Sequence, residues 1–109
     1  MKLTVQHRII VDGAFWDFGR PILAACRIGD RVIVIFDYMS FPKPMQARNL
    51  MAYDLSQKLL WTAEHPTTER TDTYVSFISE TPLRVCNFAS YTCEIDVETG
   101  KIRHAIFTK

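Results

Sequence analysis

A chain of 109 residues has room for one domain, and at this length roughly two-thirds of the unfolded surface can be buried on folding. Hydrophobic residues make up 48% of it, enough for an ordinary packed core without a disulfide or metal staple. Thirteen Lys and Arg against twelve Asp and Glu leave a net charge of +1, which excludes a strong field steering the chain to nucleic acid or anionic membrane.

The first residues, Met1-Lys2-Leu3-Thr4-Val5-Gln6-His7-Arg8, are too polar for a signal peptide. The longest apolar run, Val32 to Phe36, is far too short to span a bilayer. Three cysteines without framework spacing fit reduced thiols. The expectation is a soluble, complete, cytoplasmic protein.

In chain order, Leu3 to Val11 is β-branched and half alternating, and predicts a strand stopped by the Asp12-Gly13 turn signal. Ala14 to Pro21, with Phe15, Trp16 and Phe18 beside Gly19, is either a short strand or an aromatic loop. Ile22 to Ile28 and Arg31 to Tyr38 predict two strands about a Gly29-Asp30 turn. The run Val32-Ile33-Val34-Ile35-Phe36 does not alternate, so this strand should be covered on both faces. Met39 to Ala47 holds Pro42 and Pro44 and predicts a loop. Leu50 to Leu55 and Lys58 to Glu64 form a hairpin, and the polar stretch His65 to Asp72 is the connector. Beyond it come strands at Thr73 to Ser79, Leu83 to Phe88, Tyr91 to Val97 and Lys101 to Thr108. No segment has helical periodicity with caps, so no helix is expected.

The second half repeats the first. Asp54 and Asp96, at the bend of each late hairpin, lie 42 residues apart, whereas Phe36 and Phe88 lie 52 apart. The difference matches the length of the Met39 to Arg48 loop, so one insertion reconciles both registers. The predicted architecture is all-β: two four-stranded antiparallel sheets, about 21–64 and 73–109, plus an N-terminal strand. A four-stranded unit recurring at about 42 residues has the period of propeller blades.

The stretch Ile95-Asp96-Val97-Glu98-Thr99-Gly100-Lys101-Ile102, and its shorter copy Tyr53-Asp54-Leu55-Ser56-Gln57-Lys58-Leu59-Leu60-Trp61, resemble the blade signature of PQQ-type β-propellers. The likeness covers Pro21 to Lys109. Closed propellers need four or more blades, so it implies the blade and no cofactor. Two blades without a ring leave outward sheet faces and edges. Arg84, Thr92, Glu94, Arg103 and His104 are expected on such a face. Phe15, Trp16, Tyr38, Phe41 and Met45 sit where burial is difficult, the makings of a binding patch.

Chemistry is not expected. Cys26, Cys86, Cys93, His7, His65 and His104 form no metal-ligand spacing, so neither metal nor cofactor is predicted. If Ala89-Ser90 centres its turn, Cys86 pairs with Cys93 across adjacent strands, as two small buried hydrophobes rather than a redox switch. Asp54 and Asp96 should serve their own turns. There is no nucleophile elbow, no phosphate loop and no basic stripe.

What remains is a non-catalytic binding protein. In size and build the chain resembles bacterial toxin-immunity proteins, including those of contact-dependent inhibition. That likeness implies a toxin domain as partner, a nuclease for example, blocked through Phe15, Trp16, Asp37, Tyr38, Phe41, Glu64, Glu69 and Asp72. The alternative is a module that self-assembles into a propeller-like ring around a small ligand such as a sugar. An enzyme built on the scattered histidines ranks last.

Overall fold

The computed structural model describes residues 7–42 and 46–108. Within them lie ten strands: β1 (Arg8–Val11), β2 (Ala14–Asp17), β3 (Ile22–Ile28), β4 (Arg31–Phe36), β5 (Leu50–Tyr53), β6 (Leu59–Thr62), β7 (Tyr74–Glu80), β8 (Leu83–Asn87), β9 (Tyr91–Ile95) and β10 (Ile102–Phe107). A single 3-10 turn, Tyr38–Ser40, ends the fourth strand two residues before the expected Tyr38. The beginning of the first predicted strand, and Pro44 and Met45 of the loop, fall outside the described residues.

The strands make a hairpin, β1-β2, and two four-stranded antiparallel meanders, β3-β4-β5-β6 and β7-β8-β9-β10. Local turn chemistry sets their registers. Val11 pairs with Ala14 across Asp12 and Gly13, both at positive φ, a backbone that Asp-Gly tolerates where most pairs do not. In the two late hairpins the aspartates fold the turn themselves. Asp54 Oδ1 accepts from the Ser56 and Lys58 amides at 2.8 and 2.9 Å, and Asp96 Oδ1 from the Glu98 amide at 2.8 Å. Gln57 and Gly100 occupy the same left-handed position, φ 68° and 77°. The two late hairpins thus share their turn chemistry.

The two meanders pack face to face. Ile33, Ile35, Leu50, Ala52 and Trp61 of one meet Tyr74, Leu83, Val85, Cys93 and Ile95 of the other. Apolar area removed from water is the main driving force here. The opposite face of the first meander is also buried: Val32, Val34 and Phe36 lie under Val11 and Trp16 of the β1-β2 hairpin, with Phe18 and Tyr53 beside them. Both faces of β4 are therefore covered, which is why Val32 to Phe36 runs apolar without alternation. The molecule has three layers: hairpin, first meander, second meander. Among the described residues only the second meander keeps an open outer face, whereas two open faces were expected. Its outward residues are Arg84 paired with Glu94 and Cys86 paired with Thr92, with His104 opposite Glu94 on the far strand.

One register differs from expectation. Cys93 pairs with Val85, and Cys86 with Thr92. The turn holds three residues, Phe88-Ala89-Ser90, with Ser90 at φ 73° and its amide bonded to Asn87 O. A one-residue slip turns a side chain to the other face. Cys93 is accordingly in the core, while Cys86 lies outward, its Sγ 2.9 Å from Ser76 Oγ. Both thiols are free.

Candidate functional site

The connector is bolted down by buried polar groups. Asn49, fully buried, donates from Nδ2 to Phe36 O and Tyr74 O, each at 2.8 Å, and accepts from the Tyr74 amide at 3.1 Å. One side chain thus satisfies backbone of both meanders. Asp72, also fully buried, accepts from the Thr67 amide at 2.8 Å, from the Thr67 hydroxyl, and from Asn87 Nδ2 at 3.2 Å. Gln46 Nε2 donates to Thr67 O and Glu69 O. These bonds tie the stretch 64–73 to both meanders, although the buried Thr73 Oγ1 within it has no hydrogen-bond partner.

His65 lies in this stretch, stacked on Tyr74 with ring centroids 4.9 Å apart. Its Nε2 is 2.7 Å from Ala47 O, and since a carbonyl only accepts, that nitrogen carries the proton. Nδ1 is then a buried lone pair without a hydrogen-bond partner. Burial pushes the imidazole pKa below its ordinary value, and Arg48 adds to this; the Ala47 carbonyl and Asp72 pull the other way. Beside it opens a cleft of about 480 Å³ lined by Arg48, Glu64, His65, Thr67, Thr68 and Ala105, among others. Its acid-base groups are already engaged. The Glu64 carboxylate takes the Ile102 amide at 2.8 Å, and His65 holds the Ala47 carbonyl. Among the described residues neither Cys nor Ser lines this cleft, whereas Thr67 and Thr68 do. Cys26 lies elsewhere, its thiol pushed up to about 12 by burial and then by Glu80, and burial also raises Cys93. Among the described residues no three His, Cys, Asp or Glu side chains gather as a metal set.

A second feature is apolar. Asp37 Oδ1 accepts the Met39 amide and so caps the 3-10 turn Tyr38–Ser40. This turn carries Tyr38 out to Phe88 at the β8-β9 bend, ring centroids 6.4 Å apart. Phe88 is 63% exposed and Met39 65%. Three large side chains, contributed by both halves of the repeat, therefore form a solvent-facing rim. Behind them Arg20 stacks between Phe41 and Phe36, at 4.6 and 5.4 Å from the ring centroids.

The residues expected to bind a partner fall in three places. Asp37 and Tyr38 sit at the rim, whereas Phe41 is half-buried against the cluster of Val32, Val34 and Phe36. Glu64 and Glu69 are exposed on the connector side. Phe15 stands exposed on the hairpin, under the Arg8 guanidinium at 5.2 Å. Two expectations are corrected. Trp16 is only 3% exposed, because alternation along β2 turns it onto Val32, Val34 and Phe36 while Phe15 points to solvent. Asp72 is fully buried, spent on Thr67 and Asn87. Phe88 was expected only as the end of a strand; it lies beyond β8, as the first residue of the Phe88-Ala89-Ser90 turn, and no local sequence signal marks it as exposed.

Over residues 3–107 the chain matches the family described as Domain of unknown function (DUF7957). It belongs to that family. The DUF7957 match takes in all ten strands, the bolted connector and the aromatic rim. No curated protein and no solved structure matches the chain. No helix among the described residues is long and apolar enough to cross a membrane.

Proposed function

We propose that this DUF7957 chain is a non-catalytic binding protein that docks on another protein and blocks it, in the manner of a bacterial immunity protein on its toxin domain. The observation that carries this reading is the rim of Tyr38, Met39 and Phe88. Side chains this large at a solvent-facing bend, two of them aromatic, are the usual anchors of a protein interface. Asp37 and Phe41 flank the rim, and the buried polar bolts behind it supply a rigid base. A preformed surface loses less entropy on binding.

The ring-forming alternative has less support. The hairpin occupies the outer face of the first meander, where a neighbouring blade would have to stack.

The test is comparative capture from native cell extract with the wild-type chain and with Phe88→Asp. Wild type should retain a protein that the variant loses, and adding the chain should suppress that protein's activity. Identical capture by both, or a captured protein that stays active at saturation, would sink the reading.

A further inference from the structure

We propose that the free edge of β10 pairs antiparallel with β10 of a second copy of this chain, giving a two-fold dimer with Ile106 on the axis.

The other meander edges are protected. β3 and β7 pack against one another, and each is broken by bulges, between Ile22 and Ala24 and at two places along β7. Beside β6 sits the β9-β10 turn: the Glu64 amide donates to Gly100 O at 3.1 Å and Trp61 Nε1 to Val97 O at 2.8 Å. Among the described residues nothing covers the edge of β10 in this way. Its bulge lies between Ile102 and His104, where the Glu64 carboxylate takes the Ile102 amide, and from His104 onward the pairing with β9 is regular. Ile106 is 62% and Phe107 58% exposed, on opposite faces of the strand. A regular edge carrying apolar side chains is a template for another strand.

Its backbone specifies the register. The Thr108 amide bonds to Ser90 O at 2.7 Å, and in an antiparallel ladder the bonding direction alternates. The N–H and C=O of Ala105 and Phe107 therefore point away from β9. A strand pairing with its own copy is isologous, related by a two-fold axis. The register that joins the free groups sets Ala105 opposite the second copy's Phe107, His104 opposite its Thr108, and Ile106 opposite its Ile106. Among the described residues no like charges meet, although the same register would bring Arg103 against the second copy's Lys109, and the net charge of +1 adds little further repulsion. Sizes complement as well. Ala105 is small, exposed and on the wall of the 480 Å³ cleft, so it leaves room for the incoming Phe107 ring. The ring of each copy would cover the cleft mouth of the other.

Sedimentation velocity over roughly two decades of concentration tests this, and the wild type should pass from monomer to dimer by mass action. Ala105→Pro removes an outward N–H and leaves the β9 ladder intact, so it should weaken dimerisation about tenfold or more. Ile106→Lys, which opposes two ammonium groups, should abolish it. Ile106→Cys should cross-link under mild oxidation into a covalent dimer absent from wild type, since directly opposed non-hydrogen-bonded positions, about 4.5 Å between Cα atoms, lie within disulfide reach. A monomer at every concentration overturns the proposal, as does a dimer in which Ile106→Cys fails to cross-link. Should Ala105→Pro not fold, the two Ile106 variants decide alone.

Discussion

Gly100→Ala is the sharpest probe of how the two meanders meet. At φ 77° an added methyl faces the left-handed backbone penalty, about 1–2 kcal/mol. It would also lie 2.5 Å from Trp61 Cε3 and 2.6 Å from Cδ2. The indole cannot swing aside freely, because its Nε1 is held at 2.8 Å by Val97 O. Overpacking of this kind costs about 1–3 kcal/mol, so the expected loss is about 2–5 kcal/mol. In a domain of this size that lowers Tm by about 10–25 °C. Gln57 provides the control. It holds the same turn position at φ 68° but is exposed, so Gln57→Gly should gain about 0.5–1 kcal/mol. Urea and thermal unfolding measure both, with an unchanged urea m-value confirming that stability alone has moved. A Gly100→Ala protein within about 1 kcal/mol of wild type would refute the Trp61 contact. On a Trp61→Leu background the packing part of the loss should disappear and the backbone part remain.

Other outcomes follow from the same contacts. Asn49→Ala strands the buried amide and carbonyl of Tyr74 and the carbonyl of Phe36, and at about 1–3 kcal/mol for each unsatisfied group it should cost 3 kcal/mol or more in urea unfolding. Trp16→Ala should cost about 3–5 kcal/mol, whereas Phe15→Ala, its exposed neighbour, should stay within about 0.5 kcal/mol. His65 is held neutral in the fold, its pKa below the ordinary 6.5, so in that range the unfolded chain binds the proton more readily. Its contribution is complete above about 6.5 and is lost as pH falls from there toward the folded pKa. Replacing it by Phe should flatten this part of the stability–pH curve, read by thermal unfolding at successive pH values; an unchanged slope would remove His65 as its source.

The strands were legible because their signals are local. Alternation, β-branched runs and turn pairs such as Asp12-Gly13 lie within a few residues of what they specify, and Asp54 and Asp96 marked the last hairpin of each four-stranded sheet. The failures have physical causes of another range. Ser90 adopts a left-handed turn conformation that nothing nearby in the sequence demands, and the resulting register sets Cys93 and Cys86 on opposite faces. Trp16 and Phe15 are equally apolar, and only the hairpin's docking on Val32, Val34 and Phe36 decides which is hidden. Asn49 and Tyr74 are 25 residues apart, so no window reveals that the amide joins both meanders. Of the candidate surface, Tyr38 was visible as an unplaced aromatic. Its pairing with Phe88 needed the turn and the bend brought together.

The hairpin laid over the first meander also gives the architecture a direction of growth. Any additional sheet acquired by a descendant of this chain could be received only beyond Arg84 and Glu94, and those two would first have to surrender their ion pair to greasier replacements. On the opposite flank Trp16 acts as a stopper: enlargement there would begin with the hairpin's eviction, and with it the shelter of Val32, Val34 and Phe36.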